Sequence, residues 1–205
     1  MSENIENNNI ENSNSSTVKK EKEKKGWKRE LFEWIVTLGA AVIIAFAVKA
    51  LIFEPVKVQG RSMMNTLQDG EIMIVTKYDY ILGEPERFDI ITCRYPKRSE
   101  FFVKRIVGIP GDTVSVSNGY LTVNGITYAE DYLDFRPNYS FDDYVVPEGE
   151  YFVLGDNRSN SNDSHIIGSI TRKQVLGHVR QVVFPFNAWR NVELKEDEIK
   201  TISVN

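Results

Sequence analysis

The chain has 205 residues and a formal net charge of −4 at pH 7, which allows one domain plus attachments and makes nucleic acid an unexpected partner. One cysteine, Cys93, excludes an internal disulfide framework and a multi-cysteine metal site. Two histidines, His165 and His178, fall in no H-x-x-x-H arrangement and supply a zinc centre equally poorly.

Residues 1–17 are Asn, Ser and Glu with almost no apolar side chains. Such a stretch buries too little surface to offset chain entropy and is expected to be disordered. From Lys19 to Arg29 the composition turns basic, with Lys19, Lys20, Lys22, Lys24, Lys25, Lys28 and Arg29 interleaved with Glu21 and Glu23. Leu31 to Phe53 is then apolar apart from Glu33, Thr37 and Lys49. Its charge-free part, Trp34 to Val48, is short for a hydrocarbon core of about 30 Å. Lys49 snorkels outward and Glu33 lies at the inner edge, so the whole stretch reaches the usual ~20 residues.

The basic cluster ahead of it predicts a cytoplasmic amino terminus, with everything after Phe53 on the far side. A cleavable signal peptide with a small-x-small site at Ala45-Phe46-Ala47 is the main competitor. Against it stand the long polar leader and the apolar run Ala50-Leu51-Ile52-Phe53 beyond that site. A buried soluble helix is a further alternative. The expected organisation is a disordered cytoplasmic tail over 1–30, a retained transmembrane anchor over 31–53, and an extracytoplasmic β-rich domain over 54–205.

Beyond the anchor, short runs rich in Val, Ile, Tyr and Phe predict strands at Glu71–Thr76, Asp89–Tyr95, Phe101–Val107, Thr113–Val116, Tyr120–Val123, Tyr151–Leu154 and His178–Phe184. Ser117-Asn118-Gly119 and Asn124-Gly125 read as hairpin turns, because Asn-Gly accepts positive φ. Strands at this spacing without alternating helices predict a mainly β domain, an antiparallel barrel or sandwich. Thr171–Leu176 is the one helical candidate there. Tyr128 to Glu150, acidic and aromatic with Pro137 and Pro147, reads as a long surface excursion.

Three stretches carry candidate chemistry. Phe53-Glu-Pro-Val-Lys-Val-Gln-Gly-Arg-Ser62-Met-Met-Asn-Thr-Leu67 presents one serine just after the apolar segment. Phe102-Val-Lys104-Arg-Ile-Val-Gly-Ile-Pro-Gly-Asp112 sets a lysine in an apolar run. Gly155-Asp-Asn-Arg158-Ser-Asn-Ser161-Asn-Asp163-Ser-His165 packs hydrogen-bonding residues after Tyr151–Leu154. A serine nucleophile needs a base for its proton and donors for the developing oxyanion. His165 sits in a dense loop and His178 in a strand pattern with no acid attached, so a Ser-His-Asp triad is nearly excluded. A lysine serves as base only if burial holds it neutral. Read from its own window, Lys104 on the wet face of a strand is the simpler alternative.

Together and in this order, the three stretches resemble the motifs of the bacterial type I signal peptidases in their short single-anchor form, over about Glu30 to Asn187. The resemblance implies a serine endopeptidase that cleaves exported precursors after small-x-small sites. It implies Ser62 as nucleophile, Lys104 as general base and Ser161 as the residue orienting the lysine. By the same match Val58, Met63 and Val103 line the substrate pocket, while Asp156, Asn157, Arg158 and Asp163 support the loop. No cofactor and no metal are implied. The expected partners are secretory precursors with signal peptides and membrane lipid, near the protein-export channel. The Ser62 N–H is one oxyanion donor; Gly60 stands where some members supply a second from a serine hydroxyl.

Two departures stand out. Asn65 occupies a position usually held by proline, and His165 one usually held by arginine, which replaces an always-charged partner for Asp163 with a titratable one. They leave open a related Ser-Lys peptidase with a narrow substrate, such as a pilin or one transferred protein. A catalytically idle, membrane-tethered β binding module is the alternative from another class.

Overall fold

The computed structural model describes residues 26–64, 66–95, 100–194 and 199–202, with Ala50 and Leu51 described by backbone alone. Residues 1–25 of the expected disordered tail, with Lys19 to Lys25 of the basic cluster, and Asn65 lie outside the described residues; residues 27–30 of that expected tail are not disordered but open a helix. The chain divides into two units, one up to Ile44 and one from Ala45 onward.

Helix α1 runs Trp27–Ile52, starting four residues before the predicted anchor and giving way to a strand at Phe53. Alanine and leucine are interleaved with Ile, Val and Phe, and a stretch without proline and with Gly39 as the only interior glycine sustains it. Its apolar span Trp27–Lys49 has a mean hydropathy of 2.3, and its side chains are exposed. At about 1.5 Å per residue this length crosses a hydrocarbon core of ~30 Å. Within it, Thr37 Oγ1 donates to the Glu33 carbonyl (2.7 Å), which occupies the one hydroxyl near this end of the apolar run.

The second unit is mainly antiparallel β. Its strands are β1 (Phe53–Lys57), β2 (Ile72–Thr76), β3 (Ile90–Cys93), β4 (Phe102–Gly108), β5 (Thr113–Ser117), β6 (Tyr120–Val123), β7 (Ile126–Glu130), β8 (Phe141–Val145), β9 (Glu150–Leu154), β10 (Ile170–Thr171), β11 (Val175–Phe184), β12 (Arg190–Asn191) and β13 (Ile199–Ile202). An eight-stranded sheet, curled as a half-barrel, has the order β1-β2-β11-β3-β4-β9-β10 with β12 on β11. A five-stranded sheet has the order β13-β7-β6-β5-β8. Register shifts in β11 at Val175/Gly177, Val179/Gln181 and Val182/Phe184 mark bulges, which increase local twist and bend a strand. Both predicted hairpin turns form, with Asn118 and Asn124 at φ of 53° and 54°.

Two expectations need correction. Tyr128–Glu150 is not a mere excursion: it ends β7 and contains β8, which pairs with β5. Thr171–Leu176 is not a helix but a single 3-10 turn, Arg172–Gln174, between β10 and β11. A reciprocal cap explains the turn. Gln174 Oε1 accepts from the Thr171 backbone N–H (2.7 Å), and the Val and Leu that follow then pair as strand.

The core that positions the site surrounds β4. From Lys104 to Gly108 every residue of β4 is buried, because β3 and β9 flank it and apolar side chains cover both faces. Lys104 is opposite Ile91 and shares its face with Phe102, Ile106 and the cluster around Cys93 and Val153. Arg105 faces the other way, opposite Ile90 and Leu154. A Cβ on Gly108 would lie 2.5 Å from Val114 Cγ2, so β4 and β5 approach here as only glycine permits.

Candidate active site

Ser62 lies in a turn between β1 and β2. The chain leaves β1 at Val58, whose N–H donates to Glu71 O (2.8 Å), and turns at Gly60, whose φ of +88° suits glycine. Asp69 Oδ1 accepts from the Gly60 N–H (2.9 Å), while Met63 and Leu67 bury their side chains in the core. Apolar anchors on either side thus leave Ser62, itself half-buried, facing the sheet.

The turn brings Ser62 Oγ to 2.8 Å from Lys104 Nζ. The amine also donates to the Val103 carbonyl (3.1 Å) and lies 5.9 Å from the Phe102 ring centre. Lys104 is 1% exposed. Burial holds its pKa below the ordinary 10.5, against the opposing carboxylates of Asp163 and Asp156. Burial also pushes the Cys93 thiol up to about 12, so it is uncharged at neutral pH. The net effect favours a neutral amine beside a serine hydroxyl, the condition for proton transfer between them.

The loop after β9 supports this pair from beneath. Asp156 takes two hydrogen bonds from Arg105, 2.9 Å from Nε and 2.7 Å from Nη2, and one from Thr66 Oγ1. Arg105 also donates to Phe88 O (2.9 Å) and stacks over Tyr132. Asn157 donates from its backbone to Ser62 O (2.9 Å) and from Nδ2 to Arg61 O (3.0 Å), gripping the serine turn directly. Arg158 closes the loop on itself through Gly155 O (3.1 Å) and ties it to Glu130 on β7 by bonds of 2.7 and 2.6 Å. Asp163 accepts from the Gly155 N–H (2.9 Å) and pairs with His165 Nδ1.

Ser161 is at the same edge. A Cβ on Gly155 would lie 2.2 Å from Ser161 Oγ and 2.5 Å from the Ser62 carbonyl oxygen, so the two serines flank one glycine. Ser161 Oγ is buried and has no hydrogen-bond partner among the described residues; no bond from it to Lys104 is formed. Val58, Met63 and Val103 line, with Ser62, Val56 and Pro55, a cavity of about 640 Å³.

Sequence reasoning missed Arg105, Glu130, Thr66 and Tyr132. The charge partners among them were implied only indirectly: a charged Asp156 or Arg158 inside a domain demands an opposite charge, and sequence does not say which. Among the described residues no cluster of His, Cys, Asp or Glu is arranged to hold a metal ion.

A serine hydroxyl against a buried lysine, beside an apolar cavity in a mainly antiparallel β domain, has the constitution of a serine hydrolase. A family model described as "Signal peptidase, peptidase S26" matches residues 31–184. Signal peptidase I of Bacillus licheniformis is 39% identical over 177 residues, covering 81% of this chain and 95% of the relative. Signal peptidase IB of Staphylococcus aureus is 35% identical over 182 residues, covering 80% and 95%. A solved signal peptidase I from Enterococcus faecalis V583 is 36% identical, with a TM-score of 0.41, covering 47% of this chain and 97% of that one. The chain belongs to the signal peptidase family, peptidase S26, and is a serine peptidase. Its single described apolar helix and these relatives fit a single-pass membrane protein.

Proposed function

We propose that the protein removes signal peptides from exported precursors by a Ser62–Lys104 mechanism, cutting after small-x-small sites. Signal-peptide cleavage is the activity that the family and the relatives support. The Ser-Lys assignment is carried by one observation: the 2.8 Å contact of Ser62 Oγ with an amine that is 1% exposed.

In this reading Lys104 Nζ takes the Ser62 hydroxyl proton as Oγ attacks the scissile carbonyl. The oxyanion is held by the Ser62 N–H, which has no other partner among the described residues. The ammonium then gives its proton to the leaving amine, and an acyl ester on Ser62 remains. Lys104 next takes a proton from water as the hydroxide attacks the ester, then returns it to Ser62 Oγ as the C–O bond breaks and the precursor's signal segment is released. A neutral Lys104 turns its lone pair to the Ser62 hydroxyl and one N–H to the Val103 carbonyl, and Ser161 Oγ is assigned as the acceptor of its second N–H, orienting the amine. Asp156, Asn157, Arg158 and Asp163 are assigned support of the loop and no proton transfer.

Val58, Met63 and Val103 are assigned to the pocket for the last residue before the cut; the cavity they share with Ser62 supports this. An extended substrate points alternate side chains to one face, so small residues at the last and third-last positions share that face. Residues 54–205 are read as lying outside the cytoplasmic membrane with the amino terminus inside, close to the export channel, where lipid and emerging precursors meet.

Incubation of the detergent-solubilised chain with an Ala-x-Ala precursor, followed by mass analysis, tests the proposal. A single cut after the second alanine is expected. No cut, with Ser62 still labelled by an acylating peptide, would favour a narrow-substrate peptidase; no cut and no label would leave a binding module.

A further inference from the structure

His165 occupies a position from which it can act on the Ser62–Lys104 pair without touching it. Its ring stacks flat on Tyr139, with centroids 4.1 Å apart and planes 2° off parallel, and Nδ1 pairs with Asp163 Oδ1. The other oxygen of Asp163 accepts from the Gly155 N–H, and Gly155 is wedged against the Ser62 carbonyl and the Ser161 hydroxyl. His165, Asp163, Gly155 and Ser62 therefore form one continuous run of contacts. The Asp163 side chain is fully buried and that of His165 only 15% exposed, so water screens little of their interaction.

We propose that His165 is a positioning residue for the reaction, fixing Asp163 against the Gly155 edge and setting, by its own charge, how much of the Asp163 charge reaches Lys104. The inference rests on the Ser62–Lys104 reading. The groups facing the imidazole are few. Asp163 comes from its own turn. Tyr139 comes from the connection between β7 and β8, and burial pushes its phenol up, so it stays neutral. Behind Tyr139 the Arg158 and Glu130 charges are paired with each other. Asp163 is the first of the charges that oppose the lowering of the Lys104 pKa. A charged His165 offsets that carboxylate and favours neutral Lys104; a neutral His165 leaves the carboxylate free to favour the ammonium. Imidazole changes charge between about pH 5 and 8, so the site carries an adjustable element where a permanent cation would hold it fixed.

The test compares pH profiles of kcat/KM for the full chain in detergent, as parent, His165→Arg and His165→Gln. The arginine variant should move the acidic limb to lower pH by about half a unit or more, while the glutamine variant should not move it down. Coincident limbs, or equal losses at every pH, would mean His165 only stabilises the loop and would overturn the proposal. Should a variant fail to fold, the coupling is read in reverse on the unaltered histidine. The NMR titration midpoint of His165 should rise by a similar amount in Lys104→Met, while His178 serves as the internal reference. An unmoved His165 midpoint overturns the proposal. A Lys104→Met protein that still cleaves sinks the Ser-Lys reading itself; an inactive one with an unmoved His165 sinks this inference alone.

Discussion

Lys104 and Arg105 are neighbours on β4, both buried, and they meet opposite fates. Arg105 points to a face where Asp156 answers its charge with two hydrogen bonds, and that pairing outweighs the cost of burial and keeps it charged. Lys104 points to the other face, where its described polar contacts are an uncharged hydroxyl and a carbonyl. One strand thus holds a structural cation and a basic amine side by side.

Arg105→Met should therefore destabilise the protein by about 3–5 kcal/mol, because it strands the Asp156 carboxylate in the interior. Adding Asp156→Leu should restore part of that loss. Thermal unfolding of the single and double variants in detergent decides it, and a single variant as stable as the parent would contradict the pairing.

The glycines separate packing from positioning. In Gly155→Ala the new methyl meets the Ser62 backbone carbonyl as well as the Ser161 side chain, and displaces the serine turn. A loss of about 100-fold in kcat/KM is expected, since misplacement by roughly 1 Å costs that much. Gly108→Ala instead drives a methyl onto Val114 and should cost about 1–3 kcal/mol of stability with KM unchanged. Kinetics beside melting curves for both variants check the division.

Much of the fold was legible. Strands β2, β3, β4, β5, β6, β9 and β11 stand out in the sequence because β-branched runs end in turn residues. The strands that escaped are mostly at sheet edges. β1 carries Pro55, tolerated where no neighbour needs its N–H, and β8 carries Asp142 and Asp143, both exposed. The site was legible only by resemblance. β3 and β9 pair along both edges of β4 and apolar side chains of distant strands cover its two faces, and no local pattern around Lys104 encodes this. Glu130 was hidden for the same reason: its partner Arg158 is 28 residues away.

The pocket assignment predicts a change of specificity. Val103→Ala enlarges the cavity beside Ser62 and should raise kcat/KM for precursors with valine at the cut, relative to alanine, by about 10-fold or more. A precursor series differing only at that residue measures the ratio. An unchanged ratio would move the pocket elsewhere.

Stability should depend on pH through Lys104. Its pKa is lowered in the folded protein, so the unfolded chain binds a proton that the native site resists. The penalty is complete below the folded pKa, shrinks as pH rises from there toward the unfolded value near 10.5, and is absent above it. Lys104→Met keeps the apolar stem and removes the amine. Melting curves should show the variant more stable than the parent at pH 7, with the difference narrowing toward pH 10.

The central claim is that Lys104 is the base. The direct measurement is the rate at which folded Lys104→Met, in detergent at pH 8, cleaves an Ala-x-Ala precursor. A loss of about 1,000-fold or more relative to the parent is expected. A variant that cleaves within about tenfold of the parent rate would contradict the Ser62–Lys104 mechanism.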